Sequence, residues 1–148
     1  MIGVVVAAHE KLAEALVNTV ELVVRAPTRI VSVATAPDDD TESFRHRLEE
    51  AVASFASADG VLILTDMFGG TPSNVGMTLH SPGKVEVITG ANLPMLIKAV
   101  SICADESSLE VAALTTRQAG QAAIAIATEV LAISTPAPKQ TPPEVPCE

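Results

Sequence analysis

The sequence predicts an α/β fold, doubly wound in three layers around a mainly parallel sheet of strand order 2-1-3-4. Three observations carry that reading. Short β-branched runs alternate with longer stretches of helical period, as successive βαβ units require. The run Val61-Leu62-Ile63-Leu64-Thr65 is apolar without alternation, the mark of a strand buried on both faces. Right-handed crossovers with one reversal of winding then set the first strand beside the third.

The elements follow in chain order. Residues 2–7, rich in valine, form the first strand, and apolar positions at Leu12, Leu16, Val20 and Val23 predict a helix over 10–24. Ala26-Pro27-Thr28 breaks that helix before a second strand over 29–34. The cluster Asp38-Asp39-Asp40-Thr41 suits a helix entrance, because carboxylates favour the positive end of the macrodipole. Phe44, Leu48, Val52 and Phe55 mark the buried stripe of that second helix. Gly60 turns the chain into a third strand over 61–65, and a third helix runs from about 72 to 79, where Ser81-Pro82-Gly83 ends it. A fourth strand covers 84–88. Asn92 serves as an N-cap with Pro94 in the first turn, and Met95, Leu96, Ala99, Val100 and Cys103 face the core. A fifth helix starts near Ser107 or Ser108 and stops at Gly120. The segment 123–127, alternating Ala and Ile, is ambiguous between strand and helix; the extended reading, as an antiparallel edge strand, is preferred. Five of the ten prolines fall after residue 133, so 134–148 is expected to be a disordered, linker-like tail and 1–133 a single domain.

Composition narrows the function classes. The 148 residues suffice for one self-supporting core, built from small and β-branched side chains with only three Phe. A net charge of −9 opposes nucleic-acid binding and docking on anionic lipid. Cys103 and Cys147 form neither a disulfide framework nor a metal-type spacing. The N-terminus opens straight into a core strand without a charged leader, and no apolar run approaches the ~20 residues of a membrane helix. The expectation is a cytoplasmic protein without direct membrane insertion. No metal cluster or nucleotide-binding glycine loop is visible, and no cofactor is expected.

Two strand-to-helix junctions carry candidate chemistry. The first strand delivers His9 and the third delivers Asp66, so a 2-1-3-4 sheet places both at the crevice where such folds bind ligands. A neutral imidazole can accept a phosphoryl group through one nitrogen while a carboxylate holds the proton on the other. Asp66 fits that role for His9. Backbone amides of Gly69, Gly70 and Thr71 at the start of the third helix, with the Thr71 hydroxyl, would stabilise the spread charge of the transferred group. Each residue also has a plain explanation. Strand-end histidines are often merely structural, strand-end aspartates often cap helices, and Gly-Gly-Thr-Pro is common in turns. His46 and His80 have no assigned role. From the residues alone, a small-ligand binder in which His9 is incidental stays open.

Beyond these residues, the chain resembles the IIA domain of the mannose-type family of the bacterial phosphoenolpyruvate-dependent sugar phosphotransferase system. The likeness lies in the stretch from Ile2 to His9 with Leu12-Ala13, in Gly60 through Asp66-Met67-Phe68-Gly69-Gly70-Thr71-Pro72-Ser73-Asn74, in Glu86 to Gly90, and in Ala91-Asn92-Leu93-Pro94-Met95-Leu96. It covers residues 1 to about 130. It implies that His9 is phosphorylated by phospho-HPr and passes the group to a IIB component, with Asp66 as its partner and Thr71 as a phosphate contact. It implies a homodimer whose last strand is exchanged between subunits, and peripheral association with a membrane permease complex. A regulatory protein whose phosphorylation state controls a partner, with no sugar transported, would use the same residues. One position departs from the family pattern, where Gly usually follows the active histidine: this chain has Glu10. Its plain explanation is an acidic residue at a helix start.

Overall fold

The computed structural model describes residues 1–25, 28–106 and 108–134. Strands β1 (Ile2–His9), β2 (Ile30–Thr35), β3 (Gly60–Thr65) and β4 (Val85–Thr89) form one sheet of order 2-1-3-4. All three pairings are parallel. The register places His9 opposite Thr35 on one side, and Ala7 opposite Thr65 on the other. The C-terminal ends of β1 and β3 are therefore neighbours.

Side-chain alternation along β1 and β3 divides the core in two. Val4, Val6, Ala8, Leu62 and Leu64 point to the face covered by helices α1 (Leu12–Val24), α4 (Leu93–Asp105) and α5 (Leu109–Ala122). Val5, Ala7, Val61 and Ile63 point to the face covered by α2 (Thr41–Ala53) and α3 (Thr71–Thr78), where Phe44, Leu48, Phe55 and Val75 meet them. Each of the Val, Leu, Ile and Phe side chains contributes about 1.5–3 kcal/mol by leaving water. His9, at an odd position of β1, follows Val5 and Ala7 onto the second face.

Small residues let the layers approach. A methyl at Gly3 would sit 2.3 Å from the Phe55 ring. Gly120, expected to end α5, lies inside it: the helix continues to Ala122, and the Asn92 side chain donates to the Gly120 carbonyl at 3.2 Å. Its missing side chain lets α5 close on Met95 of α4. Asn92 also caps α4 through the Met95 amide at 3.0 Å, and Asp40 caps α2 through Ser43, as the sequence predicts.

The expected edge strand over 123–127 is absent from the single chain. Ala123 turns out of α5, 124–126 are irregular, and α6 (Ala127–Ser134) follows. A strand needs a partner for its amides and carbonyls. Among the described residues β4 ends the sheet, and this segment does not lie along it. Alanine is also the strongest helix former, so the chain returns to helix where nothing pairs with it. The proline-rich tail lies outside the described residues from 135 onward.

Candidate functional site

Asp66 leaves β3 at its last turn of backbone and reaches across to the end of β1. Its Oδ2 accepts from the His9 amide at 3.1 Å and lies 2.7 Å from the His9 ring Nδ1. Its Oδ1 accepts from the Met67 amide at 2.9 Å. Burial alone would raise the Asp66 pKa. The hydrogen bonds from the His9 ring and amide, the imidazole's charge and the Met67 amide together outweigh it and leave the carboxyl below its usual range. A carboxylate held in this way takes the proton-bearing Nδ1 of the neutral ring and leaves the Nε2 lone pair uncommitted. The His9 side chain is 41% exposed against 11% for Asp66. The acid is shielded while the imidazole is partly open to solvent.

Gly70 lies against the Cε1–Nε2 edge of the His9 ring. A β-carbon there would stand 2.6 Å from Cε1 and 3.1 Å from Nε2 of His9. Its φ of −79° is open to any residue, so the need for glycine is one of space. Gly70 is also the N-cap of α3, with no side-chain cap bond. The positive end of that helix thus abuts Nε2, with the Thr71 and Ser73 amides in its first turn; Pro72 has none to offer.

The loop is fixed from below by Ser73, to which sequence reasoning gave no role. Its buried hydroxyl accepts from the Gly69 amide at 2.9 Å and donates to the Gly70 carbonyl at 3.1 Å. The Gly69 amide is therefore turned into the loop rather than toward the histidine. At φ 86° Gly69 makes the reversal that brings Gly70 back to His9. A hydroxyl residue three after a turn glycine was the available signal.

Beside His9 opens a cavity of about 400 Å³, lined by Glu10, Thr35, Asp39, Asp40, Phe44 and Thr71. It is a hole of phosphoryl size and more. Glu10 does not begin a helix. Its amide donates to Thr35 at 2.9 Å, one step past β1, and its φ is 48°, while α1 starts at Leu12. That left-handed conformation costs a non-glycine residue about 1 kcal/mol. On the other flank, Met67 and Phe68 are 55% and 75% exposed. The remaining histidines lie elsewhere: His46 pairs with Glu50 and His80 with Glu86. Among the described residues, no group of three His, Cys, Asp or Glu side chains could hold a metal ion.

Comparison with known proteins places these features in a wider set. Residues 3–115 match the family model EIIA-man, described as PTS system fructose IIA component. The chain is 26% identical over 145 residues to the PTS system mannose-specific EIIAB component of Escherichia coli (strain K12), an alignment covering 97% of this chain and 45% of that protein. It thus spans about half the length of that relative. The crystal structure of the PTS IIA protein associated with the fucose utilization operon from Streptococcus pneumoniae superposes with a TM-score of 0.76 at 27% identity, covering 88% of this chain and 96% of that one. Phosphotransferase system component EIIA from Streptococcus agalactiae has the same fold, with a TM-score of 0.79 at 23% identity over 87% of this chain and 99% of that one.

Proposed function

The chain belongs to the EIIA-man family of mannose-type IIA domains, and from that premise we propose that it is a phosphocarrier of the sugar phosphotransferase system, with His9 as acceptor and donor. One observation carries this reading. The Asp66 carboxylate, 2.7 Å from Nδ1, orients the ring so that Nε2 faces the start of α3.

In the proposed reaction, Nε2 attacks the phosphorus of phospho-HPr. The nitrogen–phosphorus bond of the donor breaks, its electron pair stays on the donor's imidazole, and a phosphohistidine forms on His9. Asp66 offsets the positive character that grows on the ring. Thr71, with the amides of Gly70 and its own first turn, meets the phosphoryl oxygens, and the loose transition state asks mainly for such positioning. A nucleophile of a IIB component then attacks the same phosphorus, the His9 nitrogen–phosphorus bond breaks, and its electron pair returns to Nε2. Exposed Met67 and Phe68 give a protein partner apolar surface to cover next to the histidine. No described helix is long and apolar enough to cross a membrane. We read the protein as a cytoplasmic component that meets a membrane permease complex at its periphery.

A homodimer completes the proposal. Beyond Val85, which an isolated bridge to Ser81 already pairs, no strand of the described residues covers the outer edge of β4. A cavity of about 580 Å³ lies between β4 and α5, and Ile124 and Ile126 are exposed just beyond α5. A second copy contributing its 123–127 segment would pair that edge and bury those side chains.

The test is incubation with phosphoenolpyruvate, enzyme I and HPr, followed by analysis of the bound phosphate. Label on His9 that is stable in base and lost in acid is expected. His9→Ala should abolish it, and Asp66→Asn should slow labelling by at least tenfold with the fold intact. Normal labelling of the alanine variant would overturn the assignment.

A further inference from the structure

We infer that Glu10 sets the phosphoryl-transfer potential of His9, making the chain a weaker acceptor and a stronger donor than it would be with an uncharged residue there. The inference rests on His9 being the phosphorylated residue. Glu10 follows His9 directly and lines the same cavity as His9 and Thr71. Two other carboxylates share that wall, but both are committed. Asp39 is held by Arg47 at 2.5 and 3.2 Å and by the Ala36 amide at 2.6 Å. Asp40 accepts from the Ser43 amide at 2.7 Å and its hydroxyl at 2.8 Å. The Glu10 side chain has no hydrogen bond or ion pair among the described residues, and no Lys or Arg lines the cavity.

Before transfer, this carboxylate lines the cavity beside an imidazole that bears no phosphoryl group. After transfer, it shares that cavity with a phosphoryl group carrying nearly two negative charges. The repulsion exists only in the phosphorylated state, so it lowers the equilibrium occupancy of phospho-His9 without altering how the ring is held. Two partly solvated charges within a Debye length of about 10 Å change an equilibrium constant about three- to tenfold, and salt screens the effect.

Phosphoramidate is the donor of choice for the test, since it needs no docking surface. Nε2 takes the phosphoryl group as the nitrogen–phosphorus bond of phosphoramidate breaks and the electron pair leaves with ammonia. The equilibrium fraction of phospho-His9 would be read by phosphorus NMR for the natural chain, Glu10→Gln and Glu10→Gly. Glu10→Gln keeps the size and the strained backbone and removes only the charge. Both variants should raise the equilibrium constant about three- to tenfold at low ionic strength, and the gain should shrink toward none at 1 M salt. An unchanged constant in Glu10→Gln overturns the inference, as does a gain in Glu10→Gly alone, which would assign the effect to backbone strain. Labelling by phosphoramidate but not by phospho-HPr would sink the proposed donor and leave the role of Glu10 to these constants. Labelling of His9 by neither would overturn both.

Discussion

At the scale of single residues, the site is a matter of tenths of an ångström around one imidazole. Asp66 fixes the ring from the Nδ1 side, and Gly70 is a space kept empty on the other. Gly70→Ala brings a methyl to 2.6 Å from Cε1. That contact is closer than carbon atoms tolerate, so the ring must swing or the loop must open. Phosphorylation by phospho-HPr is expected to slow by about 10²-fold, the usual consequence of a misplacement near 1 Å. Circular dichroism should show an unchanged fold; a fully active Gly70→Ala would show that the close packing of ring and loop is not required. His9 and Asp66 were legible in the sequence because each ends a strand whose neighbours topology could name. The work of Gly70 was not, since its φ is ordinary and only the ring's position in space makes a side chain there intolerable. Ser73 escaped for a similar reason: its hydroxyl matters through the Gly69 amide and Gly70 carbonyl, which a turn brings to it.

At the scale of elements, the informative piece is the segment that follows α5. Its alternation of Ala and Ile is a strand pattern, and the chain alone gives it no strand to join. Ile124 and Ile126 are left exposed while β4, bridged only at Val85 by Ser81, has no further strand along its outer edge among the described residues. Sedimentation equilibrium at micromolar concentration is expected to give a dimer for the natural sequence. The double variant Ile124→Asp, Ile126→Asp should give a monomer, since like charges at both positions oppose burial at an edge. A monomeric natural chain would overturn the exchange. Gly120 carries the lesson of the same helix. Read as a stop, it is a close approach between α4 and α5, and glycine signals both equally well from sequence.

For the whole molecule, acid stability reports how the carboxylates are used. Asp66, Asp39 and Asp40 all have pKa values below the ordinary carboxylate range in the folded chain. For Asp39 the first cause is the Arg47 hydrogen bond, and for Asp40 it is the Ser43 amide. Depressed folded values mean that the unfolded chain binds protons first. The stabilisation is therefore complete above about pH 4 and is lost as pH falls through the lower folded values. Thermal unfolding midpoints should fall steeply only below about pH 4. Asp66→Asn should unfold earlier at pH 7, by roughly 1 kcal/mol, and show a shallower acid limb. An acid limb of unchanged steepness would mean that Asp66 gains nothing from His9.

The sequence by itself determined the layered α/β architecture, the strand order and the two residues that close β1 and β3. Hydrophobic period and chain handedness are local or topological properties, and they are written in residue order. Tertiary structure alone decided which side of the imidazole is free, why Gly70 must lack a side chain, and that Glu10 bends through left-handed space to face the same cavity as His9. Those are relations between atoms far apart in the chain or turned by a single φ angle, and no periodicity records them.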